Sequence, residues 1–134
     1  MKITYTSSMA NITENKLQRL FQAVKWKSAR HPERLLQAIS GSHAVITAWK
    51  GNELVGLVNA ISDGCMTAYF HYMLVDPAYQ GQGIGKKLME QMLARYEDYE
   101  TKVLIAYPDV ISFYESIGFR KEKSTVPLYI SSLI

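Results

Sequence analysis

A glycine-rich segment, QGQGIGKK at residues 80–87, is the part of the sequence that points most directly to chemistry. It follows a strand-like stretch, HYMLVDP, and precedes a helix-like one, LMEQMLARYE. Glycines allow backbone N–H groups to converge, and the first turn of a helix has unpaired donors at the positive end of its dipole. Since Lys86 and Lys87 add positive charge, we expect the segment to bind an anion such as a phosphate.

Two common phosphate-binding loops do not fit this spacing. A P-loop requires glycine at the position of Gln80 and a hydroxyl residue at the position of Lys87. A dinucleotide-binding loop requires a third glycine where Lys86 stands, and no strand–helix–strand unit opens the chain. The sequence therefore excludes both.

A histidine on the strand before the loop has the chemistry of a base. His71 lies in the predicted strand Met66–Val75, and an imidazole of ordinary pKa can accept a proton from an ammonium group near pH 7. Because strand periodicity is two residues, we expect one face of the strand to carry Tyr69, His71, Met73 and Val75. A structural histidine bonded to its neighbours is the alternative.

The glycine segment and its surroundings resemble a known family. VDPAYQGQGIGKKLM is similar to the pyrophosphate loop of the GNAT N-acetyltransferase superfamily, whose Gln/Arg-x-x-Gly-x-Gly/Ala pattern is filled by Gln80, Gly83 and Gly85. ISFYESIGF, residues 111–119, resembles the family's Phe-Tyr-x-x-x-Gly-Phe motif at about the usual distance downstream. The resemblance extends from ELVGLV to GFRK. A glycine-rich turn that binds nothing is the alternative for the loop alone.

The resemblance implies acetyl-CoA as co-substrate and no metal. The coenzyme would lie where two parallel strands, Met66–Val75 and Lys102–Tyr107, splay apart, with its pantetheine arm held by strand-like hydrogen bonds. Backbone amides from 82 to 86 would hold the pyrophosphate, and Gln80 would fix the loop. The residues implied in cofactor binding are Leu74, Val75, Gln80, Gly81, Gln82, Gly83, Ile84, Gly85, Lys86 and Phe113.

The resemblance also implies catalytic roles. Tyr114 matches a position whose hydroxyl commonly faces the coenzyme sulfur, so it would be the general acid toward the thiolate; a tyrosine that only packs on the coenzyme is the alternative. His71 matches a histidine in the acceptor site of arylalkylamine N-acetyltransferases, so the base would be His71 or a water chain. A backbone N–H of Val75 or Asp76 would polarise the carbonyl group.

Predicted helices and strands place these residues in an α/β fold. We expect the order β-αα-β-β-β-α-β-α-β, which is the order of the GNAT fold, with a mixed sheet and helices on both faces. Asn11 or Thr13 would cap the first helix, and Pro32 would begin the second. Gly118 would end the last helix, and PLYIS would form a closing strand.

Length and composition indicate a single domain, residues 1–134, that works in the cytoplasm. No apolar run is long enough to cross a bilayer, and the one cysteine, Cys65, cannot form an internal disulfide. The net charge of +3 is too mild to indicate nucleic acid, and the three histidines are too scattered for a metal site.

The acceptor is expected to be a primary amine on a small molecule or a peptide. The basic stretch KWKSARHPER would either favour an anionic acceptor or form an ordinary solvated face. Trp26 and Trp49 would line an aromatic acceptor pocket or belong to the core. A catalytically silent acetyl-CoA sensor is the rival function, and a homodimer through PLYISSLI is a possible assembly.

Overall fold

The computed structural model describes residues 2–133, which form five strands and four α-helices. The strands are β1 (Thr4–Thr6), β2 (Ala44–Lys50), β3 (Glu53–Ser62), β4 (Thr67–Val75) and β5 (Thr101–Leu104). The helices are α1 (Glu14–Ala23), α2 (Pro32–Ser40), α3 (Ile84–Arg95) and α4 (Ile111–Ser116). Short 3₁₀ turns occur at Lys27–Arg30, Pro77–Tyr79 and Pro108–Val110.

Local sequence signals set the helix ends as predicted. The Thr13 side chain accepts a hydrogen bond from the Lys16 N–H at 3.2 Å and caps α1. Pro32 is the first residue of α2, where its missing N–H costs nothing. Gly118, with a φ of 109°, lies just after α4. The caps that were expected at Thr13, Pro32 and Gly118 are therefore confirmed.

The sheet is mixed, with strand order β1-β2-β3-β4-β5. Neighbouring strands from β1 to β4 are antiparallel, and β5 runs parallel to β4. The β2–β3 turn falls at Gly51 and Asn52. A parallel pair requires a long crossover, and α3 supplies it between β4 and β5.

Helices cover both faces of the sheet, as predicted for the α/β class. On one face, α1 and α2 pack on the sheet through buried side chains that include Leu17, Phe21 and Ile39. On the other face, α3 packs through Leu88, Met92 and their neighbours, and Tyr114 from α4 joins the same core. Burial of these two apolar layers is the main stabilisation of the fold.

Two predictions about strands are wrong. The closing strand expected for PLYIS is absent from the sheet of the described chain. Pro127 has no N–H to donate, and the side chains of Leu128 and Ile130 are fully exposed, so no ladder or burial stabilises the segment. The strand expected at 102–107 is a short edge strand at Thr101–Leu104 whose Val103 side chain is half exposed.

Candidate active site

An opening in the sheet lies between β4 and β5. The two strands pair only from Thr67 with Thr101 to Phe70 with Leu104. Beyond Phe70, β4 continues to Val75 and pairs only with β3. One side of residues 71–75 therefore has no strand beside it, which leaves backbone groups free to bind an extended ligand.

The β3–β4 ladder shows which backbone groups face this opening. The Asp76 N–H donates to the Val55 carbonyl at 2.8 Å. Because hydrogen-bonded pairs alternate along an antiparallel ladder, the backbone groups of Leu74 point to β3, whereas those of Met73 and Val75 point to the opening. The backbone of Leu74 is thus bonded to β3, and the cofactor contacts expected of Leu74 and Val75 stay predictions.

The loop after β4 ends in an uncapped helix N-terminus. The Gln80 side chain donates to the Val75 carbonyl at 3.1 Å, so Gln80 holds the loop against the strand. Gly81 and Gly83 have φ values of 80° and 83°, which favour glycine. No side chain caps α3 at Gly83, and the first N–H groups of the helix, beginning at Ile84, are therefore available to an anion.

Gly85 brings α3 close to α4 and β4. A side-chain carbon at Gly85 would meet Met73 Cε and Phe113 Cζ at 3.5 Å and Val75 Cγ2 at 3.7 Å. The structure thus brings together the predicted loop residues, the end of β4 and Phe113. Lys86 is exposed on the same first turn of α3, where its charge adds to the helix dipole.

A β-bulge changes the expected faces of β4. Ala60 pairs with Phe70 and Val58 pairs with Met73, so His71 and Tyr72 together oppose the single residue Asn59. Phe70 and Met73 both contribute to the core that α3 covers. The expectation that Tyr69, His71, Met73 and Val75 share one face is wrong, because the extra residue reverses the alternation; Tyr69 and His71 lie on the α1–α2 face.

Asn59 stabilises this bulge, and the sequence analysis missed it. Its side chain is buried, accepts the Tyr72 N–H at 2.7 Å and donates to Ser42 Oγ at 2.9 Å. A buried amide that satisfies an unpaired strand N–H lowers the cost of the bulge. An asparagine within the apolar run ELVGLVNAIS was the available signal, because a polar side chain in a buried strand needs a partner.

His71 is stacked between two tyrosines. Its ring lies 4.0 Å from the Tyr72 ring centroid and 5.5 Å from that of Tyr69, with interplanar angles of 22° and 27°. Partial burial between these rings lowers the pKa of His71 below its ordinary value. The side chain still reaches solvent, and it has no hydrogen-bond partner among residues 2–133. The lower pKa favours the neutral imidazole, which is the form that accepts a proton.

Tyr114 is buried on the opposite face of the sheet. It is 8% exposed, and its ring contacts Phe113 and Phe119 edge to face. Phe119 in turn contacts Phe70, the last residue of β4 that pairs with β5. Burial raises the pKa of Tyr114 to about 12, so the phenol stays protonated. Its hydroxyl bonds to no group in the described part of the chain.

The predicted aromatic acceptor pocket receives mixed support. Trp49 is 5% exposed within the core under α1, so it belongs to the core alternative. Trp26 is half-buried, and its ring lies 6.0 Å from Tyr72, the neighbour of His71. Tyr72 also bonds to Ser28 at 3.0 Å, which attaches the basic segment after α1 to the bulge.

The site geometry agrees with a sequence comparison. Residues 9–127 of this chain match the sequence model of the acetyltransferase (GNAT) domain family. The chain belongs to the GNAT acetyltransferase family. This covers most of the chain, and it confirms the resemblance that the glycine loop and the Phe-Tyr motif indicated.

Individual GNAT relatives match over nearly the whole chain. An uncharacterized N-acetyltransferase, ycf52, of Porphyra purpurea is 33% identical over 132 residues, which are 94% of this chain and 75% of that protein. Histone acetyltransferase TAP1 of Glycine max is 33% identical over 130 residues, 87% of this chain and 55% of that protein. A GNAT family acetyltransferase from Streptococcus pneumoniae TIGR4 has a TM-score of 0.84 at 29% identity, covering 98% and 99%.

The described residues contain no candidate membrane helix and no candidate metal site. No helix within residues 2–133 has the length and apolar character needed to cross a bilayer. Within the same residues, no three His, Cys, Asp or Glu side chains lie together as a metal site. The cytoplasmic location and the lack of a metal stay predictions.

Proposed function

We propose that this GNAT enzyme transfers the acetyl group of acetyl-CoA directly to a primary amine. The observation that carries the proposal is the opening beyond Phe70, where unpaired backbone of β4 leads directly to the uncapped N-terminus of α3. An extended pantetheine arm followed by a pyrophosphate requires this sequence of groups.

The cofactor would use backbone groups more than side chains. Met73 would bond to the pantetheine arm, and the amides of residues 82–86 would bind the pyrophosphate. Of the two amides considered for polarising the thioester carbonyl, that of Asp76 is already bonded to Val55, so we assign this role to Val75. Phe113 would pack beside the cofactor, next to Gly85.

The reaction forms one C–N bond and breaks one C–S bond. The neutral amine attacks the thioester carbonyl, its proton passes to His71 or to a water chain, and the coenzyme leaves as a thiolate. Tyr114, protonated and without a partner among the described residues, stabilises that sulfur by donating a hydrogen bond to it from its hydroxyl group. Because Tyr114 has a pKa of about 12, we expect the proton to be shared with the sulfur in the transition state.

The two catalytic side chains would act from opposite faces of the sheet. Tyr114 belongs to the α3–α4 side, and His71 belongs to the α1–α2 side, where the acceptor would enter. The opening between β4 and β5 is the place where a thioester could reach both sides. The lowered pKa of His71 favours its neutral form, and only the neutral imidazole can act as the base.

The acceptor itself is proposed only as a primary amine. The name of the TAP1 relative, a histone acetyltransferase, supports testing a lysine-containing peptide. The stacked rings of Tyr69, His71 and Tyr72 support testing arylalkylamines. The basic residues of the segment after α1 lie on the same side and would disfavour polyamines.

We also propose a homodimer formed by the C-terminal segment. The outer edge of β5 has no strand beside it in the described sheet, and Val126, Leu128 and Ile130 expose apolar side chains. An open edge and an unpaired extended segment can satisfy each other between two copies. Burial raises the pKa of Tyr69, and so does Tyr129 of the C-terminal segment. Tyr129 therefore lies near Tyr69, on the face of the sheet that carries His71.

The rival function is an acetyl-CoA sensor without catalysis. Release of free thiol from acetyl-CoA, measured against polyamines, arylalkylamines, aminoglycosides, amino acids and peptides, separates the two. We expect one amine class to stimulate release. Tight acetyl-CoA binding with no stimulation by any amine would favour the sensor, and no binding at all would refute both.

A further inference from the structure

The cofactor loop begins at a short turn that side chains from other elements hold in place. This turn, Pro77–Tyr79, lies between Asp76 and Gln80. The Tyr79 hydroxyl donates to Glu53 Oε1 at 2.9 Å, and Glu53 is the first residue of β3. From β2, the Lys50 ammonium lies 5.5 Å from the centroid of the Tyr79 ring, within the range of a cation–π contact.

An arginine from α1 completes the cluster. The Arg19 guanidinium is paired with Glu53 and lies 3.9 Å from Oδ2 of Asp76. Asp76 is buried, and its other oxygen accepts the Ala78 N–H at 2.9 Å. Arg19 thus lies between two carboxylates, one bonded to Ala78 and the other to Tyr79 of the turn. A buried carboxylate requires such a partner, because an uncompensated buried charge is costly.

The rest of the loop has little packing to hold it. Residues 80–83 are exposed, and a side-chain carbon at Gly81 or Gly83 would have no neighbour within 4 Å. The one side-chain bond from the exposed part is that of Gln80 to the Val75 carbonyl. The path of the loop into α3 therefore depends on where the turn is fixed.

We infer that Arg19, Glu53 and Tyr79 are positioning residues that hold the cofactor loop in its binding conformation. The inference rests on the proposed function, because it takes residues 80–86 as the site of the pyrophosphate. None of the three touches the reacting atoms; they lie on the β3 side of the loop, away from the opening between β4 and β5. Without these contacts the binding amides would be less ordered in the free protein. Binding of acetyl-CoA would then have to order the loop, and that entropy cost would weaken the affinity.

The test uses two mild substitutions and a matched control. Tyr79→Phe removes only the hydroxyl and keeps the ring that contacts Lys50, and Glu53→Gln removes the charge that pairs with Arg19. Tyr5→Phe removes a hydroxyl on β1, at the far edge of the sheet. Acetyl-CoA Kd is measured by calorimetry, KM and kcat by thiol release, and Tm by thermal unfolding.

We expect Tyr79→Phe and Glu53→Gln each to raise the Kd and KM for acetyl-CoA about five- to tenfold, the effect of one ordinary hydrogen bond. At saturating acetyl-CoA, kcat should stay within about twofold, and Tyr5→Phe should bind as the wild type does. The double variant should lose less than the product of the single losses, because both residues belong to one connected cluster.

Two results would count against the inference and are separable from failure of the proposed function. Variants with a lower Tm but wild-type Kd would show that the cluster only stabilises the fold. Equal losses of kcat and of affinity would place these residues in the chemistry. If the wild type itself does not bind acetyl-CoA, the proposed function fails instead.

Discussion

Replacement of Tyr114 by phenylalanine tests the proposed chemistry directly. The substitution keeps the ring that packs on Phe113 and Phe119 and removes a hydroxyl that has no hydrogen-bond partner among the described residues. Since no internal hydrogen bond is lost, we expect the free energy of unfolding to change by less than about 0.5 kcal/mol. Any large change in activity would then report on the reaction.

The size of the effect follows from the pKa of the phenol. A thiol has a pKa of about 8.5, so complete transfer from a phenol of pKa about 12 would be uphill by about 5 kcal/mol. Tyr114 therefore acts mainly as a hydrogen-bond donor to the developing thiolate, which contributes about 1.5–3 kcal/mol. Tyr114→Phe should lower kcat about 10- to 150-fold.

The assay separates this effect from cofactor binding. Thiol release at saturating amine gives kcat, and calorimetry gives the Kd for acetyl-CoA, which we expect to change by less than about twofold because the backbone supplies most contacts. Parallel losses of kcat and affinity would show that Tyr114 is a packing residue. A kcat equal to that of the wild type would refute the donor role.

Three other variants test the base, the loop and the assembly. In the wild type, kcat/KM should fall at low pH as the imidazole of His71 protonates, with an apparent pKa below 6.5 because burial lowers the pKa of His71. His71→Gln should abolish this acidic limb of the profile. An unchanged limb would support a water chain as the base. Gly83→Ala should lower the free energy of unfolding by about 1–2 kcal/mol, because an alanine at a φ of 83° is strained. Chemical denaturation measures this loss, and an unchanged free energy of unfolding would show that the site is not strained. Leu128→Asp with Ile130→Asp should convert a dimer into a monomer in light scattering, and a wild type that is already monomeric would refute the proposed assembly.

Local features of the fold were predictable because their causes lie within a few residues. Thr13 caps α1 by accepting the N–H of Lys16, three positions away, and Gly83 allows the turn that begins α3 immediately afterwards. The loop is readable from its own glycines. Its likeness to a pyrophosphate loop predicted the family to which the chain belongs.

Features that depend on distant partners were not predictable. The bulge at His71 needs Asn59 from β3 to satisfy the Tyr72 N–H, and period-two reasoning on β4 alone put His71 on the same face as Met73 and Val75. The last segment has strand-like residues, yet a strand forms only beside another strand. The sequence PLYIS does not show whether such a neighbour exists, and in the described sheet it has none. The Tyr79–Glu53 contact joins residues 26 positions apart in the chain.

Helix α1 touches both halves of the proposed site within three residues. Phe21 packs edge to face on Tyr72, 5.0 Å between ring centroids, while Arg19 holds Glu53 and Asp76 behind the cofactor loop. An amine that shifts α1 as it enters beside His71 must therefore change the energy of the loop. Thermodynamic reciprocity then applies: whatever factor the amine exerts on the affinity for acetyl-CoA, acetyl-CoA exerts on the affinity for the amine. Under the proposed function, such a shift of α1 would make the two substrates each other's effectors.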